Sequence, residues 1–264
     1  MRARRDTRES YHLFACGHAT ASGPFEPRAI RCYREHVSAT ATAPAASFED
    51  LAVAVAARYA ARSAHYYVRS KLRMDPVSRA LHGLALREPF GDVVDVACGR
   101  GQLGLLLHAA GAATTLVGFD WDEAKVEVAN DASIGSGNVR FEKADVRRVP
   151  LPSCDTVLLV DILHYLARDE QDDLLVRAAQ AARAPHGRVV VRDVDPDRGA
   201  SSAFTHAWEW VTTTLRYNVG ARVAPRSFAE IAAVLEGQGM AVSQELCSAR
   251  GMSNVLPIAT RAAD

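Results

Sequence analysis

Between Val93 and Leu107 the chain reads VVDVACGRGQLGLLL. Apolar, β-prone residues surround one carboxylate, Asp95, and run into a turn that carries Gly99, Gly101 and Gly104. An apolar, helix-forming run follows at once. The spacing predicts a buried strand, a tight turn and a helix start. Glycines lack the side chains that would hold a ligand away from the backbone. The first turn of the helix offers free N–H groups to the same ligand.

The pattern on either side of this stretch extends the fold. From residue 91, strands at about 92–97, 114–120, 139–145, 155–161 and 188–195 alternate with helices at about 102–110, 122–132 and 169–184. Regular alternation implies parallel strands joined by right-handed crossovers. The run DTVLLVD (155–161) is apolar enough to be a central strand buried on both faces. After Asp195 the rhythm breaks into a loop, an aromatic-rich helix at 204–217, and a clearer helix at 227–239 capped by Ser227 with Glu230 at capping-box spacing. MAVSQELC and NVLPIAT then read as two antiparallel strands around a turn at Gly251. The expected fold is α/β: a doubly wound, mostly parallel seven-stranded sheet with an antiparallel C-terminal strand and helices on both faces. Ahead of it, residues 47–90 form helices beginning at Ser47 and at Asp75–Pro76, an N-terminal helical lid. Residues 1–46, rich in Ala, Thr, Ser and Pro, read as a poorly ordered extension to a domain spanning 47–264. Residues 196–226 read as its acceptor-site insertion.

Composition narrows the function. Lys plus Arg number 31 and Asp plus Glu number 31, so the formal net charge is zero. Such a chain has no overall field for gripping nucleic acid. No apolar run is long enough to span a membrane, and no apolar stretch of signal-peptide length follows the basic opening MRARRDTRES. The five cysteines are scattered, which suits a reduced cytoplasm. Cys16, His18, Cys32 and His36 match no zinc-ligand spacing, so no metal is expected.

Four strands in the reading end in an acid: Asp95, Asp120, Asp145 and Asp161. Ligands of open parallel sheets bind outside the carboxyl ends of the strands. Four carboxylates there suit a ligand carrying an amino group, a ribose diol and an exocyclic amine. DVACGRG resembles the first motif of the class I S-adenosylmethionine-dependent methyltransferases. GFDWD, KADV and VDILHYL resemble that family's segments after the second, third and fourth strands, and the likeness extends over about residues 64–262. The resemblance implies S-adenosylmethionine as cofactor. Asp95, Ala97, Cys98, Gly99 and Gly101 would surround its methionine end, Asp120 its ribose, and Trp121, Asp145 and Val146 its adenine. Asp161 and Tyr67 would lie nearby. Ala97 departs from the family's usual glycine: a negative φ would accommodate its methyl group, and otherwise the turn is tightened. Cys98 reads as a packing residue.

The same resemblance directs attention to the acceptor side. His164 is the candidate base, with Tyr165, Arg192, His206 and Trp208 as candidate acceptor contacts. Trp210 and Tyr217 would join them in the acceptor pocket, while Tyr66 and Lys71 would close with Tyr67 over the cofactor carboxylate. The expected reaction moves a methyl group to an oxygen or carbon of a small, apolar or aromatic molecule. The asparagine–proline signature of many nitrogen methylators is missing after the fourth strand. Two alternatives remain: a nicotinamide-dinucleotide oxidoreductase using Gly99-x-Gly101-x-x-Gly104, and a non-catalytic module with a degenerate pocket. A small-molecule acceptor and a possible homodimer are the expected partners.

Overall fold

The structure is a computed structural model, and it describes residues 46–183, 185–198, 224–247 and 254–261. Seven strands form one sheet: β1 (Gly91–Val96), β2 (Ala113–Asp120), β3 (Val139–Lys143), β4 (Thr156–Val160), β5 (Arg188–Val194), β6 (Met240–Leu246) and β7 (Asn254–Arg261). Their order is β3-β2-β1-β4-β5-β7-β6. Strands β1 to β5 pair in parallel, and β7 runs antiparallel to both β5 and β6. The expected sheet is therefore present, and its one reversed strand, β7, lies between β5 and β6. The order reverses direction at β1 and β4, which places a crevice at their carboxyl ends.

Alternation along the strands supplies two apolar faces. Val93, Leu116, Leu158 and Val190 face one core with the helices α1 (Phe48–Ala57), α2 (Arg62–Met74), α3 (Pro76–Arg87), α4 (Gln102–Ala109) and α5 (Glu123–Ser133). Val94, Val117, Leu159, Val189 and Val191 face the other, with α6 (Arg168–Ala181) and α7 (Phe228–Glu236). Burial at consecutive positions of β4, all five residues of it, fits a central strand.

Cap chemistry fixes the helix starts as the sequence suggests. Ser47 accepts from Asp50 N, Asp75 accepts from Val77 N with Pro76 at the first position, and Ser227 and Glu230 form a reciprocal capping box. The N-terminal helices are more than a cover. Val55, Val68, Leu72, Val77 and Leu81 are fully buried in the first core, so α1–α3 are part of the domain's packing. The aromatic run 204–217, the Gly251 turn and residues 1–45 lie outside the described residues. Among the described residues, no helix is long and apolar enough to cross a membrane.

Candidate active site

The turn after β1 is held from several directions. Cys98 N donates to Phe119 O at 3.0 Å, and Gly101 N closes the turn onto Cys98 O at 2.9 Å. Gly101 has φ +75°, and a Cβ there would lie 2.5 Å from the Phe141 ring. Only glycine fits that position. Gly99 also has a positive φ, +58°, but nothing lies within 4 Å of where its Cβ would be. The backbone at Gly99 is therefore bare on an open side. Ala97 has φ +60°, so the condition for an unstrained methyl group is not met. A non-glycine residue in this region carries roughly 1–2 kcal/mol of strain, which is the tightened turn that the sequence reading named as the alternative.

Two carboxylates stand beside this turn. Asp120, the last residue of β2, accepts Gly99 N at 2.8 Å and Asp122 N at 2.9 Å. Asp95 lies inside β1, one residue before its end, and is 2% exposed. Its carboxyl accepts the Gly104 backbone N–H, while Oδ2 is buried with no hydrogen-bond partner. Burial, and then the nearby Asp120 charge, push its pKa up to about 7. Burial together with Asp95 and Asp120 also lifts the Cys98 thiol well above the usual range. The thiol is therefore protonated, as suits a packing residue.

The rim of the turn is built from the N-terminal helices. Tyr59 Oη donates to Arg100 O at 2.7 Å, and the Arg100 guanidinium stacks 4.4 Å from the Tyr67 ring centre. Trp121 follows Asp120 and is half-exposed. Asp145 is not a strand end, because β3 stops at Lys143. It begins the following turn instead, and Arg147 Nε and Nη2 hold its two oxygens at 2.9 and 2.8 Å. An exocyclic amine reaching Asp145 would share the carboxylate with that guanidinium. Val146, next to it, is buried.

Beyond β4 the chain makes a single 3-10 turn, Leu163–Tyr165. His164 there is buried, and its Nδ1 lies 2.5 Å from Asp193 Oδ1 on β5. The His164 backbone N–H donates to the other oxygen of Asp193 at 3.1 Å. Asp193 thus holds both the ring and the chain of His164. Facing a carboxylate, Nδ1 carries the proton in the neutral ring, which leaves Nε2 as the basic atom. Burial disfavours the imidazolium, but the Asp193 charge and hydrogen bond outweigh it, so the His164 pKa is raised. Tyr165 stacks on His164 with ring centres 4.0 Å apart.

Arg192 and Asp161 are less free than their positions in the sequence suggest. Asp161, at φ +57°, pairs with Arg192 Nη1 and lies 3.8 Å from Lys71 Nζ. Arg192 Nη2 reaches Asp75 at 3.4 Å, and Lys71 pairs with Asp75 at 2.6 Å. Two cations and two carboxylates form a closed network that ties α2 and α3 to the ends of β4 and β5. Arg192 Nε is buried without a partner. The role of Asp75 beyond capping, and that of Asp193 as the partner of His164, were missed by pattern alone. One signal was available: alternation puts Arg192 and Asp193 on opposite faces of β5. His206 and Trp208 lie outside the described residues, as do Trp210 and Tyr217. Among the described residues no cluster of three His, Cys, Asp or Glu is placed to hold a metal ion.

Residues 93–187 match the sequence model of the methyltransferase domain. The matched stretch runs from β1 to just before β5 and so contains the glycine turn and the segment after β4. The fold of the chain resembles that of magnesium protoporphyrin IX methyltransferase from Synechocystis PCC 6803 with bound SAH. The TM-score is 0.55 and the identity 19%, over 74% of this chain and 88% of that one. It also resembles the S-adenosylmethionine-dependent methyltransferase SibL, with a TM-score of 0.57 and 22% identity over 76% of this chain and 57% of that one. The chain thus spans under two thirds of SibL's length. The [4+2]-cyclase SpnF shares the fold at a TM-score of 0.52 and 17% identity, over 70% of this chain and 81% of that one. At these identities the likeness carries the fold, not the acceptor. No curated protein matches the chain.

Proposed function

We propose that this chain is an S-adenosylmethionine-dependent methyltransferase acting on an oxygen or carbon of a small, apolar or aromatic molecule, with His164 as general base and Asp193 as the group that orients it. The observation that carries this reading is the 2.5 Å contact between His164 Nδ1 and Asp193 Oδ1 beside the carboxyl ends of β4 and β5. A buried imidazole oriented by a carboxylate suits an acceptor with a proton to lose, such as a phenol or an acidic carbon.

The residues present fit the cofactor. The unpartnered Oδ2 of Asp95, the Asp120 carboxylate and the bare backbone at Gly99 together suit a ligand rich in N–H and O–H donors. Asp95, Ala97, Cys98, Gly99 and Gly101 would hold its amino-acid end, Asp120 its ribose, and Trp121, Asp145 and Val146 its adenine. Tyr67 would close the rim. S-adenosylmethionine supplies a methyl group on a sulfonium, already activated for displacement. The protein's share is alignment and exclusion of water, with His164 Nε2 receiving the acceptor's proton while Asp193 stabilises the imidazolium. Tyr165 would line the acceptor side. Arg192 and Asp161 would act there chiefly by holding α2 in place.

A dinucleotide oxidoreductase is disfavoured by the antiparallel β7 and by Asp95, whose ionised form would repel a diphosphate approaching the turn. The assignment of 47–264 as one domain, with 196–226 as acceptor-site insertion, belongs to the same reading. So does a cytoplasmic location, which the free, buried Cys98, Cys154 and Cys247 support. Calorimetric titration with S-adenosylhomocysteine, NAD and NADP tests the cofactor reading. Micromolar binding of the sulfur compound alone supports it, and binding of a dinucleotide alone overturns it. Screening phenols and acidic carbon compounds for methyl transfer, with His164→Ala alongside, tests the acceptor reading.

A further inference from the structure

The chain is neutral overall, but its charge is not evenly spread. From Leu51 to Met74 there are five cations, Arg58, Arg62, Arg69, Lys71 and Arg73, and no Asp or Glu. Lys71 turns toward Asp75 and Asp161. The others on α2 turn outward. Tyr66, Arg69, Ser70, Arg73 and Met74 recur at helical spacing on one exposed face, and Arg79 of α3 completes a groove of about 440 Å³ with them. Tyr66 is 57% exposed and Met74 77%. Arg79 is engaged by Glu49 at 2.8 Å, whereas Arg69 and Arg73 have no ion-pair partner among the described residues.

We propose that this outward face of α2 is a docking surface for an acidic protein. The composition favours a protein over other anionic partners. Tyr, Met and Arg are the residue types enriched where proteins meet, and Lys is depleted there; the groove holds three Arg, one Tyr, one Met and no Lys. A guanidinium pairs bidentately with a carboxylate, and adjacent turns of α2 present two of them four residues apart. A nucleic acid would need a longer basic track than one helix face on a neutral chain. A lipid surface would need an apolar flank to bury, and here the exposed apolar groups are a single Tyr and a single Met. Lysine-free patches of unpaired arginine are costly to leave idle in a neutral protein only in the sense that they attract anions nonspecifically. A groove between them, with an aromatic at one end and a thioether at the other, adds the shape that makes attraction selective.

The position of the face gives the docking a consequence. The flank of α2 beside this face carries Tyr67, stacked on Arg100 of the glycine turn, and Lys71, paired toward Asp161. A partner on the stripe therefore sits beside the residues through which α2 meets the turn and the Asp161 network.

The test uses the full chain and a synthetic helical peptide of about fifteen residues, with Glu at i, i+3, i+4 and i+7 and one Leu among them. Fluorescence anisotropy is read with wild type and with the Arg69→Ala/Arg73→Ala variant. Vesicles of phosphatidylserine and a single-stranded oligonucleotide are run in parallel, and sedimentation reports self-association. The expected result is salt-sensitive peptide binding that the double substitution weakens at least tenfold. The thermal midpoint and S-adenosylhomocysteine binding stay unchanged, which separates this outcome from misfolding and from failure of the cofactor reading. Absence of peptide binding at millimolar concentration overturns the proposal, as does equal binding by the variant. So do vesicle or oligonucleotide binding as tight as the peptide's, or a self-dimer that the substitutions dissolve.

Discussion

Asp95 should cost this fold stability as it ionises, and the cost can be worked from its surroundings. Its pKa is pushed from 3.8 to about 7 by burial and by the Asp120 charge. Each tenfold in proton affinity is about 1.4 kcal/mol. The folded protein holds this proton more tightly than the unfolded chain does, so stability falls as pH rises. Well below pH 4 the group is protonated in both states and contributes nothing. At pH 5 the loss is about 1.7 kcal/mol, and at pH 8 about 4 kcal/mol, so about 2.5 kcal/mol disappears between them. Asp95→Asn keeps the shape and an acceptor for Gly104 N–H but cannot ionise. Urea unfolding of both proteins at pH 5, 6, 7 and 8 isolates this group, because every other titration is common to the two. The variant's advantage should grow by about 2.5 kcal/mol across that range. The same substitution should weaken S-adenosylhomocysteine binding, since a neutral amide cannot pair with an ammonium group. If the advantage is flat to within about 0.5 kcal/mol, Asp95 titrates normally and the argument from its burial is wrong.

Other outcomes follow from the same geometry. The rate of methyl transfer should rise with pH through a pKa above the ordinary histidine value, because Asp193 favours protonated His164; Asp193→Asn should move that limb to lower pH. His164→Ala should lower kcat by about 10²-fold or more with cofactor affinity unchanged, and a smaller change would remove it as the base. Ala97→Gly should stabilise the protein by about 0.5–1 kcal/mol in chemical denaturation, since relief of the positive φ outweighs the added freedom of the unfolded chain. Arg192→Met should destabilise by about 3 kcal/mol, because Asp75 and Asp161 keep their burial and lose a partner.

The contrast between Asp120 and Asp161 shows what a sequence can and cannot carry. Both follow an apolar strand, and both read as carboxylates at the carboxyl edge of a parallel sheet. The position of each was legible because strand length and alternation are local properties. What each carboxylate meets was not, because that depends on chains far away in sequence. Asp120 meets the backbone of the glycine turn, twenty-one residues earlier at Gly99, and the motif itself implies that meeting. Asp161 meets Arg192 on the neighbouring strand and Lys71 on a helix ninety residues upstream, and no pattern in either segment announces it. Asp145 failed for a different reason: a five-residue edge strand, half exposed, gives a weak boundary signal, and the chain turned two residues earlier than alternation suggested. His164 lies between these cases. Its place after β4 was legible, but a histidine there packs or reacts according to what faces its ring. Only the pairing of β4 with β5 brings Asp193 to Nδ1. The proposed cofactor side of the crevice is thus written in short motifs, because one stretch of backbone makes most of it. The proposed acceptor side draws on α2, the turn after β4 and the end of β5, so its chemistry emerges only when those elements meet.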